Sequence, residues 1–106
     1  MALTRDFKET VYARAQQDLE FCLALIEEVI ESLLEGDLDS GRSILSNYIN
    51  ATMGYPALAE LTGQNPKSLF RMLGPKGNPT ASNLFKIINI VKEQEGVEFE
   101  VTVRHA

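Results

Sequence analysis

From residue 55 to residue 92 the chain reads YPALAELTGQNPKSLFRMLGPKGNPTASNLFKIINIVK, and its glycines and prolines divide that stretch into short pieces. Pro56 fits the first turn of a helix, where a missing N–H costs nothing, and Leu58, Ala59 and Leu61 give that helix an apolar face before Gly63 stops it. Asn65 can cap a second short helix with Pro66 at its first position. On this second helix Leu69, Met72 and Leu73 share one side, because three- and four-residue steps lie on one face, and Lys67, Ser68 and Arg71 are left outside. Two short helices joined by a tight turn at a glycine form a helix-turn-helix, whose second helix enters the major groove of DNA by its N-terminal residues.

The residue types on the outer side suit that task. Arg and Lys contact O6 and N7 of guanine, Ser pairs with several base edges, and a capping Asn can contact phosphate or adenine. The base-reading set expected from position is therefore Gln64, Asn65, Lys67 and Ser68, with Arg71 one turn on. The GPKGNP loop that follows supplies Lys76 and Asn78 for gripping a phosphate. Thr80 or Ser82 then caps a closing helix whose Leu84, Ile87, Ile88 and Val91 face the core.

Taken alone, a net charge of -5 argues against a nucleic-acid partner, since phosphate binding works through Lys and Arg. Its distribution reverses that inference. Residues 1–54 hold four basic and ten acidic side chains, residues 55–92 five basic and one acidic, and residues 93–106 one basic and four acidic. A positive middle flanked by acidic ends marks where an electrostatic footprint for DNA would lie.

Upstream, Phe7, Val11 and Ala15 predict a short amphipathic helix over residues 6–16. Asp18 can cap a longer helix in which Leu19, Cys22, Leu23, Ile26, Val29, Ile30, Leu33 and Leu34 recur at helical spacing up to Gly36. Its other face carries Glu20, Glu27, Glu28, Glu31 and Glu35, read first as a solvated surface and second as a lure for a basic partner. Asp37 or Asp39 opens a further helix with Ile44, Leu45, Tyr48 and Ile49 inside, ended before Gly54. Downstream of Gly96, Val97, Phe99, Val101 and Val103 alternate with Glu98, Glu100, Thr102 and Arg104, the period-two pattern of a half-buried strand over residues 97–104. Such a strand either pairs with its equivalent in a second copy, the favoured reading, or joins a sheet in a partner protein.

One compact domain over residues 1–106 is expected from the length: N-terminal helices to residue 36, the DNA-binding core over 37–92 and the strand at 97–104. No apolar run approaches a signal peptide or a membrane span, and the lone Cys22 leaves no internal disulfide or cysteine zinc site, so a cytoplasmic protein without metal is expected. Cys22 on an apolar stripe is a small buried hydrophobe, and His105 near the C-terminus has no neighbouring ligand or nucleophile. With no glycine-rich phosphate loop, no metal-ligand spacing and no convergent acid–base set, no enzyme and no cofactor is expected.

The run LAELTGQNPKSLFRMLGPKGNPTASNLFKII resembles the DNA-binding core of the lambda-repressor-like family and, more narrowly, the addiction-module antidote proteins of bacteria and prophages. In the narrower family a segment like NATMGYPALAELTG leads into the turn and one like KSLFRMLGPKGNPT follows it; the likeness extends more loosely to the N-terminal LTRDFKETVYARAQQDLEFCLALIEEVIESLLEGD. The resemblance implies an all-α, lambda-repressor-like helix-turn-helix domain with N-terminal helices and a C-terminal β-strand. It implies an antitoxin: a homodimeric repressor that binds double-stranded operator DNA and neutralises a small basic toxin, commonly of the RelE-like type, encoded beside it. By position, Gln64, Asn65, Lys67, Ser68 and Arg71 fall on the DNA-reading helix and Lys76 on the loop after it. Pro66 departs from the pattern, standing where many such repressors carry a base-reading Gln, which moves the reading to Lys67 and Ser68. A second class of function stays open, a protein-interaction module in which the acidic helices and the strand bind a basic partner and the helical hairpin is only structural.

Overall fold

The computed structural model describes residues 19–106; the helix expected at residues 6–16 lies outside the described residues. Five helices follow in order: α1 (Leu19–Leu34), α2 (Leu38–Ala51), α3 (Gly54–Thr62), α4 (Pro66–Met72) and α5 (Ala81–Glu95). Among the described residues none of these is long and apolar enough to cross a membrane.

Their ends lie where local chemistry puts them. Asp37 caps α2 by accepting from the Ser40 N–H at 3.1 Å, and hydrogen bonding from the Ser40 side chain, with that N–H second, holds its carboxyl below the usual range. Gly63 ends α3 with φ of 73°, a left-handed conformation that a side chain would resist. Of the two expected caps for α5, Thr80 is the one used, its hydroxyl accepting from the Asn83 N–H at 3.1 Å.

The helices enclose one apolar cluster. Ile26 and Val29 of α1 meet Leu45, Tyr48 and Ile49 of α2; Leu58 of α3, Leu69 of α4, and Leu84, Ile87, Ile88 and Val91 of α5 complete it. α1 packs along α2, α3 packs on α2, α4 and α5, and α4 is thereby held on the outside of the α2–α3 pair. Three apolar residues expected inside are instead largely exposed: Leu19, Leu34 and Leu61. Tyr55 and Thr62 take the inward positions on α3 that Leu61 does not fill.

The expected C-terminal strand is absent. Residues 97–106 form neither helix nor strand, and the described residues contain no strand at all. A strand is defined by a neighbour that pairs its N–H and C=O groups, and a bundle of helices offers none. Nor does the alternation bury a face: Val97 is half-buried, but Phe99, Val101 and Val103 are exposed, the last two at 77% and 90%. The described residues are all-α, and the assignment of Val97, Phe99, Val101 and Val103 to a dimerising strand is not supported by their fold.

Candidate nucleic-acid interface

α4 is seven residues long and depends on its neighbours for position. Leu69 and Leu73 anchor its inner side in the core, both essentially fully buried, with Met72 half-buried beside them. At its start the side-chain oxygen of the exposed Asn65 accepts from the N–H groups of Lys67 at 2.8 Å and Ser68 at 3.4 Å. At its end Arg42, reaching across from α2, donates to the carbonyl of Leu73 at 3.2 Å and to that of Gly74. A buried guanidinium thus meets the Leu73 carbonyl, which the helix end leaves without an intrahelical partner, and the Gly74 carbonyl beside it. Nη2 of Arg42 lies 3.3 Å from the Asp39 carboxylate.

The turn after α4 is equally fixed. The Gly77 N–H donates to the Gly74 carbonyl at 2.9 Å, with Pro75 and Lys76 between them, the proline occupying the position a β-turn favours. A Cβ at Gly77 would sit 1.9 Å from the Met72 carbonyl oxygen, so the close approach of turn to helix requires glycine. Lys76 is presented at the tip and Asn78 just beyond, both exposed.

The expected outward residues occupy the surface unevenly. Asn65, Lys67, Ser68 and Arg71 are exposed, with Lys67 and Arg71 one helical turn apart on the same side. Gln64 is diverted: it is half-buried and its side-chain amide donates to the Asn83 side chain at 3.4 Å, tying the turn before α4 to α5. Lys86, one of the five cations of residues 55–92, is also engaged, donating to the Thr62 carbonyl at the end of α3 at 3.2 Å. Lys67, Arg71 and Lys76 have no carboxylate partner among the described residues.

These three cations stand around one open groove of about 660 Å³, lined also by Tyr55, Pro66, Phe70, Gly74 and Pro75. Phe70 meets Tyr55 edge to face, ring centres 5.3 Å apart, while remaining 58% exposed. Tyr55 is itself fixed by a 2.7 Å hydrogen bond between its hydroxyl and that of Ser46, and burial raises its pKa. The face therefore combines cations with an aromatic floor. Phe70 and Arg42 were missed in the sequence reading. Arg42 lies three and seven residues before Leu45 and Ile49, on the buried stripe of α2, and Phe70 falls four residues after Pro66, off the Leu69–Leu73 side; both spacings were readable.

Among the described residues no three His, Cys, Asp or Glu side chains are gathered as a metal site. Compared with known proteins, the chain matches no family model, no curated protein and no solved structure. The function has to be argued from the residues themselves.

Proposed function

We propose that this chain is a cytoplasmic, sequence-specific DNA-binding regulator, the antitoxin of a toxin–antitoxin pair, which represses its own operon by laying α4 in the major groove of an operator. The observation that carries the reading is the set of unpaired cations Lys67, Arg71 and Lys76 on one exposed surface of a helix locked at both ends. Arg71 and Lys67 supply donors for guanine O6 and N7, Ser68 a hydroxyl for a neighbouring base, and the free amide of Asn65 a donor to phosphate or adenine. Lys76 and Asn78 grip the backbone from the turn. Phe70 and Pro66 offer apolar contact to a thymine methyl, a role open to exposed apolar groups in the major groove. Two copies on paired half-sites complete the arrangement.

The toxin half of the reading is supported by charge at the other end of the molecule. Glu20, Glu27, Glu28, Glu31 and Glu35 are all exposed on or just after α1, a surface complementary to a small basic protein.

Fluorescence anisotropy on DNA from the region upstream of the gene, across a salt series, tests the DNA reading. The chain is expected to prefer that DNA over an unrelated duplex and to lose the preference in the Lys67→Ala, Arg71→Ala double variant. Lys76→Ala should flatten the dependence of log K on log salt by about 0.9 for the one phosphate contact removed. Equal, feeble binding to both duplexes would sink the proposal.

A further inference from the structure

We propose that the groove beside α4 accepts the acidic, apolar C-terminal segment of a second copy of the chain, and that a copy so occupied cannot read DNA. The docking is independent of the proposed function; only the competition rests on it.

The groove is lined by Tyr55, Pro66 and Phe70 together with three cations, and among the described residues no carboxylate lines it. Phe70 and Pro66, both exposed, favour an apolar cover, and the cations add a demand for negative charge. The segment after Gly96 meets both demands. In VEFEV the apolar Phe99 and Val101 fall on one side of an extended chain and Glu98 and Glu100 on the other. With Phe99 and Val101 on the floor, the long stems of Lys67, Arg71 and Lys76 let their heads reach past the backbone to the two carboxylates. Glu98, Glu100 and Val101 are exposed, and only the partial cover of Phe99, itself 38% exposed, has to be given up to release the segment.

A second copy is indicated because the tail does not reach the groove of its own chain. None of residues 97–106 lines it, and Val101 and Val103 stand in solvent in the same structure. The tail is also held at its root against the end of α5 and α2: the Val97 N–H donates to the Lys92 carbonyl at 3.2 Å, and Tyr48 donates to Glu95. Exchange between two copies satisfies both grooves at once, a closed two-fold arrangement needing no strand pairing. It also covers the three cations proposed to read DNA, so off-DNA pairs and DNA-bound copies exclude each other.

Sedimentation of the full-length chain over a concentration series tests the docking. The wild type should self-associate. Glu98→Lys with Glu100→Lys, or Lys67→Glu with Arg71→Glu, should each weaken association at least tenfold with circular dichroism unchanged, and the chain carrying all four substitutions should regain it. A wild type that is monomeric throughout, or association indifferent to either reversal, overturns the proposal. The uncharged Phe99→Ser, Val101→Ser chain separates the two ideas. If it loses self-association and binds operator DNA several-fold more tightly, docking and competition both hold. If it loses self-association while wild type and variant alike bind no DNA, the docking stands and the DNA reading of α4 is what fails.

Discussion

Arg42 reaches from the middle of α2 to the last carbonyls of α4, so its contribution is decided at a single side chain. Removing it would strand the Leu73 carbonyl, leave the Gly74 carbonyl with the Gly77 N–H alone, and open a gap beneath them, since Arg42 is only 8% exposed. Arg42→Met, similar in length but unable to donate, is expected to lower unfolding free energy by about 2–3 kcal/mol, the usual cost of breaking a charged, buried hydrogen bond. Arg42→Lys should recover only part of this, because an ammonium cannot fork between two acceptors as a guanidinium does. Asp39→Ala makes the contrast. Its carboxylate is 92% exposed and pairs in solvent, so a change within about 0.5 kcal/mol is expected. Urea titration of the three variants decides the matter; an Asp39→Ala loss as large as that of Arg42→Met would show that the ion pair, and not the helix end, is what Arg42 serves.

At the scale of the element, α4 and its turn act as one unit, and Gly77 is where they touch. Gly77→Ala would drive a methyl group into the Met72 and Arg71 carbonyls, so the turn must lift from the helix. An overpacking cost of about 1–3 kcal/mol is expected, together with a displaced Lys76 and weaker binding to DNA of any sequence. Normal stability and normal DNA affinity in Gly77→Ala would show that the turn is not fixed in this way. What the sequence disclosed about this unit follows the range of the forces involved. The Asn65 cap, the Gly63 stop and the inward Leu69 and Leu73 depend on residues within a turn of one another, and all were legible. The capture of Gln64 by Asn83, of Lys86 by Thr62 and of the α4 terminus by Arg42 joins residues 19 to 32 positions apart, which no local pattern reports. Residues 97–104 mislead for the complementary reason. Alternation records what a strand would bury if it had a partner, and the described residues provide none.

For the molecule as a whole, α2 ties the first half to the last. Tyr48 is buried in the core and donates its hydroxyl to Glu95 at the end of α5, while Tyr55, also buried, shares a hydrogen bond with Ser46 of α2. Burial raises both phenol pKa values, and for Tyr48 the neighbouring Glu95 raises it further, because a phenolate there would face a carboxylate in a poorly solvated site. The sign of the linkage follows. The folded state holds these phenols neutral beyond the pH at which the unfolded chain releases their protons, so their contribution is complete below about pH 10 and falls as pH rises above it. Alkaline titration should therefore show the tyrosinate absorbance of Tyr48 and Tyr55 appearing together with the loss of helical circular dichroism, as one cooperative step. Tyr48→Phe removes the larger of the two ionisations, and the alkaline midpoint should move to higher pH even though the variant gives up the bond to Glu95 and is somewhat less stable at neutral pH. Tyrosinate forming at Tyr48 near its ordinary pKa with the helices intact would mean that the end of α5 swings free of α2. The segment after Gly96 would then not leave the fold from a fixed point, and the separation of the tail from its own groove, on which exchange between two copies depends, would lose its structural basis.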